Sequence, residues 1–195
     1  MTEEFFKKYE IKQFSPQLFL YFKQMMADKG ELTDMVSGAA IGQIPKSRQK
    51  EIVDEADMIK VFDDPKDVVR YMKRMKESQN RAILCDKAIK MQDQTLPEII
   101  EKLVKTANDS FVEMAVMILS KCDIQYIHRL KDVYKDIMYP YAQSGAAMVL
   151  GTRGMEDCSE LLMDEVARFA REYPNETFEQ GPLIGLHVIC NRPLG

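Results

Sequence analysis

The side chains best placed to do chemistry are the acids Glu156, Asp157, Glu160, Asp164 and Glu165. Helical spacing brings Glu156, Glu160 and Asp164 to one face, and such a row could serve a metal ion or an acid–base pair. Acids in a first helical turn also meet the positive end of the helix favourably, and this cluster begins where a helix should start. No histidine accompanies them at a ligand spacing, so a solvated helix face is the stronger reading.

The two histidines offer little more. His128 lies just off an apolar stripe, shares a face with Lys131 and Lys135, and has Asp132 one turn on as an ordinary contact. His187 stands among Leu186, Val188 and Ile189. Of the cysteines, Cys85 reads as a core residue. Cys158 sits in a first helical turn, where the dipole favours thiolate, but Glu156, Asp157 and Glu160 oppose that by repulsion. The four cysteines (85, 122, 158, 190) form no metal-knuckle pair, and free thiols in a reducing, cytoplasmic compartment are the simplest expectation. There is no P-loop, no G-x-G-x-x-G and no nucleophile elbow. No metal or cofactor is expected.

The elements that position these side chains are helices. Periodicity of the helical kind runs through the chain and strand-like alternation is almost missing, so the fold class is all-α. The 195 residues suit one domain and can bury roughly 70% of the surface their unfolded form exposes, so no staple is required. The N-terminus (Met1-Thr-Glu-Glu-Phe-Phe-Lys-Lys) places acids first and does not read as a secretory signal. The longest near-apolar stretch, Gly181 to Cys190, is about half a bilayer span.

Residues 1–63 read as an irregular helical cap. Ser15-Pro16 starts a helix that Gly30 stops; a second covers Leu32 to Ile41; Ser47 opens a third with Ile52, Ala56 and Ile59 on one face. Asp63-Asp64-Pro65 marks a break. Residues 64–195 are more regular. Amphipathic helices carry the stripes Val68, Tyr71, Met72, Met75; Ile100, Leu103, Val104, Ala107; Ile127, Leu130, Tyr134, Ile137; and Leu162, Val166, Phe169, Tyr173. Shorter, more apolar helices alternate with them: Arg81 to Met91, Phe111 to Lys121, Tyr141 to Gly151 and Gly181 to Cys190. Thr95-Leu-Pro-Glu98 and Thr177-Phe-Glu-Gln180 fit capping boxes.

The short helices align without gaps. With Ile89, Leu119, Leu150 and Ile189 as anchors, Cys85, Ala115, Ala146 and Gly185 fall in one column, and Ala88, Ile118, Val149 and Val188 in another. The anchors are 30, 31 and 39 residues apart, which is a degenerate repeat. Over about residues 65–190 the chain resembles the HEAT and armadillo-like helical repeats. Leu150-Gly151-Thr-Arg-Gly154-Met-Glu156-Asp157, followed by Leu161-Leu162, is similar to a junction between two short, lyase-associated HEAT units. Asp109 fills the acidic turn position once, whereas Glu113 and Ser144 stand where such units carry a basic residue.

The resemblance implies antiparallel helix pairs stacked as a short solenoid, a fold that mostly serves as a binding scaffold. A protein or peptide partner is the expectation. The surface shared by successive short helices would be lined by Lys87, Met117, Met148 and His187, and the 14 methionines suit an adaptable contact. The rival is a nucleic-acid-binding or base-excising helical-repeat enzyme. Its phosphate contacts would be Lys66, Arg70, Lys73 and Arg74, but the net charge of −4 and the lack of tryptophan oppose it. A third reading is a regulatory subunit stable only in a larger assembly. Residues 60–91 hold nine basic against five acidic side chains, and residues 154–180 two against eight, so oppositely charged ends also allow a homo-oligomer.

Overall fold

The structure, a computed structural model, describes residues 45–75 and 77–190. The two helices expected at 15–30 and 32–41 lie outside the described residues. Within those residues there are nine α-helices, joined by short 3₁₀ turns, and no strand. The all-α expectation is met.

Helix α1 (Lys46–Lys60) follows Pro45 and buries Ala56 and Ile59 one turn apart. Helix α2 (Pro65–Tyr71) starts as Asp63-Asp64-Pro65 predicts: the Asp64 carboxylate accepts from the Lys66 amide at 2.8 Å, with proline in the first position. It stops at Tyr71, so Met72 and Met75 lie beyond it, and Met72 is nevertheless fully buried. After α3 (Arg81–Lys90) comes α4 (Gln92–Lys105), which begins earlier than its expected capping box. Thr95 is therefore interior. Its hydroxyl donates to the Ala88 and Met91 carbonyls, and Pro97 lies inside the helix. Burial of the whole segment outweighs the local preference of proline for a helix start.

Asn108 caps α5 (Asp109–Leu119) by accepting from the Phe111 amide at 2.8 Å. Helix α6 (Ile124–Val133) runs into a 3₁₀ turn, Tyr134–Asp136. Helix α7 (Pro140–Thr152) ends on Gly154, whose φ of 87° places it in the left-handed region. There the Met155 amide reaches the Leu150 carbonyl and the Gly154 amide the Gly151 carbonyl, so the last carbonyls of α7 are satisfied. Helix α8 (Ser159–Glu172) follows a 3₁₀ turn, Glu156–Cys158, and α9 (Gln180–Cys190) closes the described chain. The second expected capping box also gives way: Thr177 is exposed and contributes its backbone carbonyl to the Gln180 amide.

The helices pack on near neighbours in sequence. α1 meets α3, α3 meets α5, α5 meets α7 and α7 meets α9; α2 meets α4 and α4 meets α6; and consecutive helices from α2 to α5 also touch. The aligned small residues lie inside these contacts. Cys85, Ala115 and Ala146 are fully buried, as are Ala88, Ile118 and Val149 in the second column. Gly185 is buried as well, and its backbone lies so close to α7 that a methyl on Gly151 would stand 2.2 Å from the Gly185 Cα. Gly181 meets α7 in the same way, against the Ser144 carbonyl. Anchors Leu119 and Leu150 are fully buried, while Ile89 and Ile189 are half-buried. Each buried large aliphatic contributes about 1.5–3 kcal/mol.

One long side chain ties the ends of α5 and α7 together. Arg153, just past α7, donates to the carbonyls of Ser120 (3.0 Å) and Cys122 (2.7 Å). It thereby satisfies carbonyls that the end of α5 leaves without helical partners.

Candidate functional site

The acidic cluster divides between two environments. Glu156, Glu160 and Asp164 are exposed, as a solvated face requires. Asp157 pairs with Lys131 of α6, which holds its carboxyl below the usual range. Glu165 turns inward and is not part of the wet face. It accepts the Tyr134 hydroxyl at 2.9 Å, Arg168 Nε at 3.0 Å and Arg168 Nη2 at 2.5 Å. Arg168 also donates to Gln143 of α7 at 2.7 Å and lies 4.4 Å over the Phe169 ring. Burial, with the Glu165 charge beside it, raises the Tyr134 pKa far above the ordinary phenol value. A neutral phenol and a doubly paired carboxylate fasten α6, α7 and α8 together.

Two further tyrosines repeat this arrangement. Tyr71 donates to Glu55 at 2.7 Å, and the same carboxylate accepts the Glu77 amide (3.1 Å) and Asn80 Nδ2 (2.9 Å). Tyr126 of α6 donates to Asp93 of α4 at 2.6 Å, and that hydrogen bond, before burial, pushes its pKa up to about 12. Gln92 and Asp123 exchange a pair of bonds beside it, Nε2 to Oδ2 at 2.8 Å and amide to Oε1 at 3.1 Å. The polar groups that the fold brings together across α1, α2, α4, α6 and α8 thus serve to join helices.

Cys85, Cys122 and Cys158 are all buried. Burial raises the Cys158 pKa and lifts that of Cys122, against the Arg153 cation beside it, to about 11. At Cys158 desolvation outweighs the nearby Lys131 cation, and the Asp157 carboxylate adds to it, against nucleophile chemistry there. His128 is exposed on α6. No group of three or more His, Cys, Asp or Glu among the described residues could hold a metal ion.

The residues expected to line a groove do not share one exposure. Lys87 is half-buried and donates to the Phe62 carbonyl at 3.1 Å. Met117 and His187 are half-buried, and Met117 packs against the core. Met148 has no exposed surface at all. It is a core residue, because α7 is enclosed by α5, α6, α8 and α9. Four residues earlier in the same alignment, Glu113 pairs with Arg81 at 2.6 Å and the Ser144 hydroxyl donates to the Phe178 carbonyl at 2.6 Å.

The expected basic patch is offset by its neighbours. Lys66, Arg70, Lys73 and Arg74 are all exposed, but Arg70 pairs with Asp67 at 3.0 Å and Asp64 lies against the Lys66 amide. Lys73 Nζ stands 5.9 Å over the Phe111 ring. Asp63, Asp64 and Asp67 against these four cations leave one net positive charge on the segment 63–74.

The surface that sequence reasoning missed is the link between α6 and α7. Met138 is 66% exposed, Tyr139 39% and Tyr141 37%. The Met138 amide donates to the Val104 carbonyl at 2.9 Å, so the link is held against the end of α4. The signal was present as a run of large apolar residues, Ile137-Met-Tyr-Pro-Tyr141, in a segment too short to bury all of them. Of that run only Ile137 is buried. No helix of the described residues is long and apolar enough to cross a membrane. Comparison of the chain with protein-family models, with curated proteins and with solved structures finds no match.

Proposed function

We propose that the chain is a short HEAT-like α-solenoid that works as a protein-interaction scaffold, with a protein or peptide as its partner. The observation that supports this reading is serial packing: each of α1, α3, α5 and α7 meets the next-but-one helix, as do α2 and α4. Repeat arrays of this kind build extended surfaces from successive units and bind through them. The polar clusters support it too, since their carboxylates, phenols and guanidiniums are committed to joining helices. The contact surface, on this reading, includes the exposed Met138, Tyr139 and Tyr141 rim, where large apolar side chains meet solvent on a braced link.

The test is affinity capture from native lysate with the parent chain beside the Met138→Glu/Tyr141→Glu variant. Circular dichroism of both confirms that each is folded. A partner retained by the parent and lost by the variant supports the proposal; identical retention on both removes the rim from it. No retained protein with either chain argues against the scaffold reading as a whole.

A further inference from the structure

We draw no further inference here: the strongest candidate, the exposed apolar rim of Met138, Tyr139 and Tyr141 at the link between α6 and α7, belongs to the surface already described, and nothing in the structure shows what covers it.

Discussion

The Tyr134 hydroxyl donates to Glu165 Oε2 at 2.9 Å, joining the end of α6 to α8 across 31 residues of sequence. Tyr134 is only 2% exposed, so water has little access to its hydroxyl. Hydrogen bonds to charged groups contribute about 1.5–3 kcal/mol, more than neutral ones. Tyr134→Phe keeps the ring and removes the donor, and Glu165 still has Arg168. The expected loss is about 1–2 kcal/mol in a denaturant melt. A loss as small as that of an exposed surface change would mean that the bond contributes nothing net.

Alkaline pH acts on the same contacts. Tyr126 is pushed up to about 12, and Tyr71 and Tyr134 are raised further. A folded-state pKa above the unfolded value near 10 leaves the contribution to stability whole below pH ~10. Above that, the unfolded chain ionises first, and stability falls as pH rises through the folded values. Spectrophotometric titration should find these three of the eight tyrosines ionising late, together with loss of helical signal. Ordinary titration of all eight in the folded protein would contradict the assignment.

Much of this architecture can be read from spacing, and the reasons for the failures are physical. The short apolar helices and the small-residue column are legible because close helix contacts call for small side chains: Cys85, Ala115 and Ala146 are all fully buried. Neither capping-box pattern predicts where its helix begins: α4 starts at Gln92 and α9 at Gln180. At Thr95 and Thr177 the cap pattern is local, whereas the helix start is decided by packing over the whole segment. Glu165 reads as one more solvated acid because, although Arg168 is its i+3 neighbour on α8, nothing in that helix shows that Tyr134 of another element also converges on it. Met148 falls in the groove column of the alignment, but a column defined within one helix cannot show how many neighbours enclose it.

Methionine oxidation separates the exposed link from the core. Met138 is 66% exposed and Met148 fully buried. Under mild peroxide the native chain should convert Met138 to sulfoxide first, with Met148 modified only after denaturation and Met117 between the two. Peptide mapping by mass spectrometry gives the order. Early oxidation of Met148 would contradict its burial and place it on the groove.

The small-residue column makes a claim about volume. Ala146 is fully buried, so Ala146→Leu should cost about 1–3 kcal/mol by overpacking. Glu160→Gln, on the exposed row of α8, should change stability by less than about 0.5 kcal/mol. Equal effects in paired denaturant melts would mean that the alignment of the short helices does not mark their contact.

The most direct measurement concerns the contact between α7 and α9. Alanine in place of glycine inside a helix is worth about 1 kcal/mol in propensity, so Gly151→Ala should stabilise if nothing stands nearby. Here the added methyl would lie 2.2 Å from the Gly185 Cα and 2.7 Å from its carbonyl oxygen, backbone atoms that no rotamer change can move. Gly185→Ala meets nothing closer than 3.1 Å and should be milder. Chemical denaturation of both variants beside the parent therefore tests whether α9 closes on α7 as the stacked helices require. The account predicts that Gly151→Ala is destabilised by about 1 kcal/mol or more and is the worse of the two. A Gly151→Ala protein as stable as the parent, or more so, would contradict it.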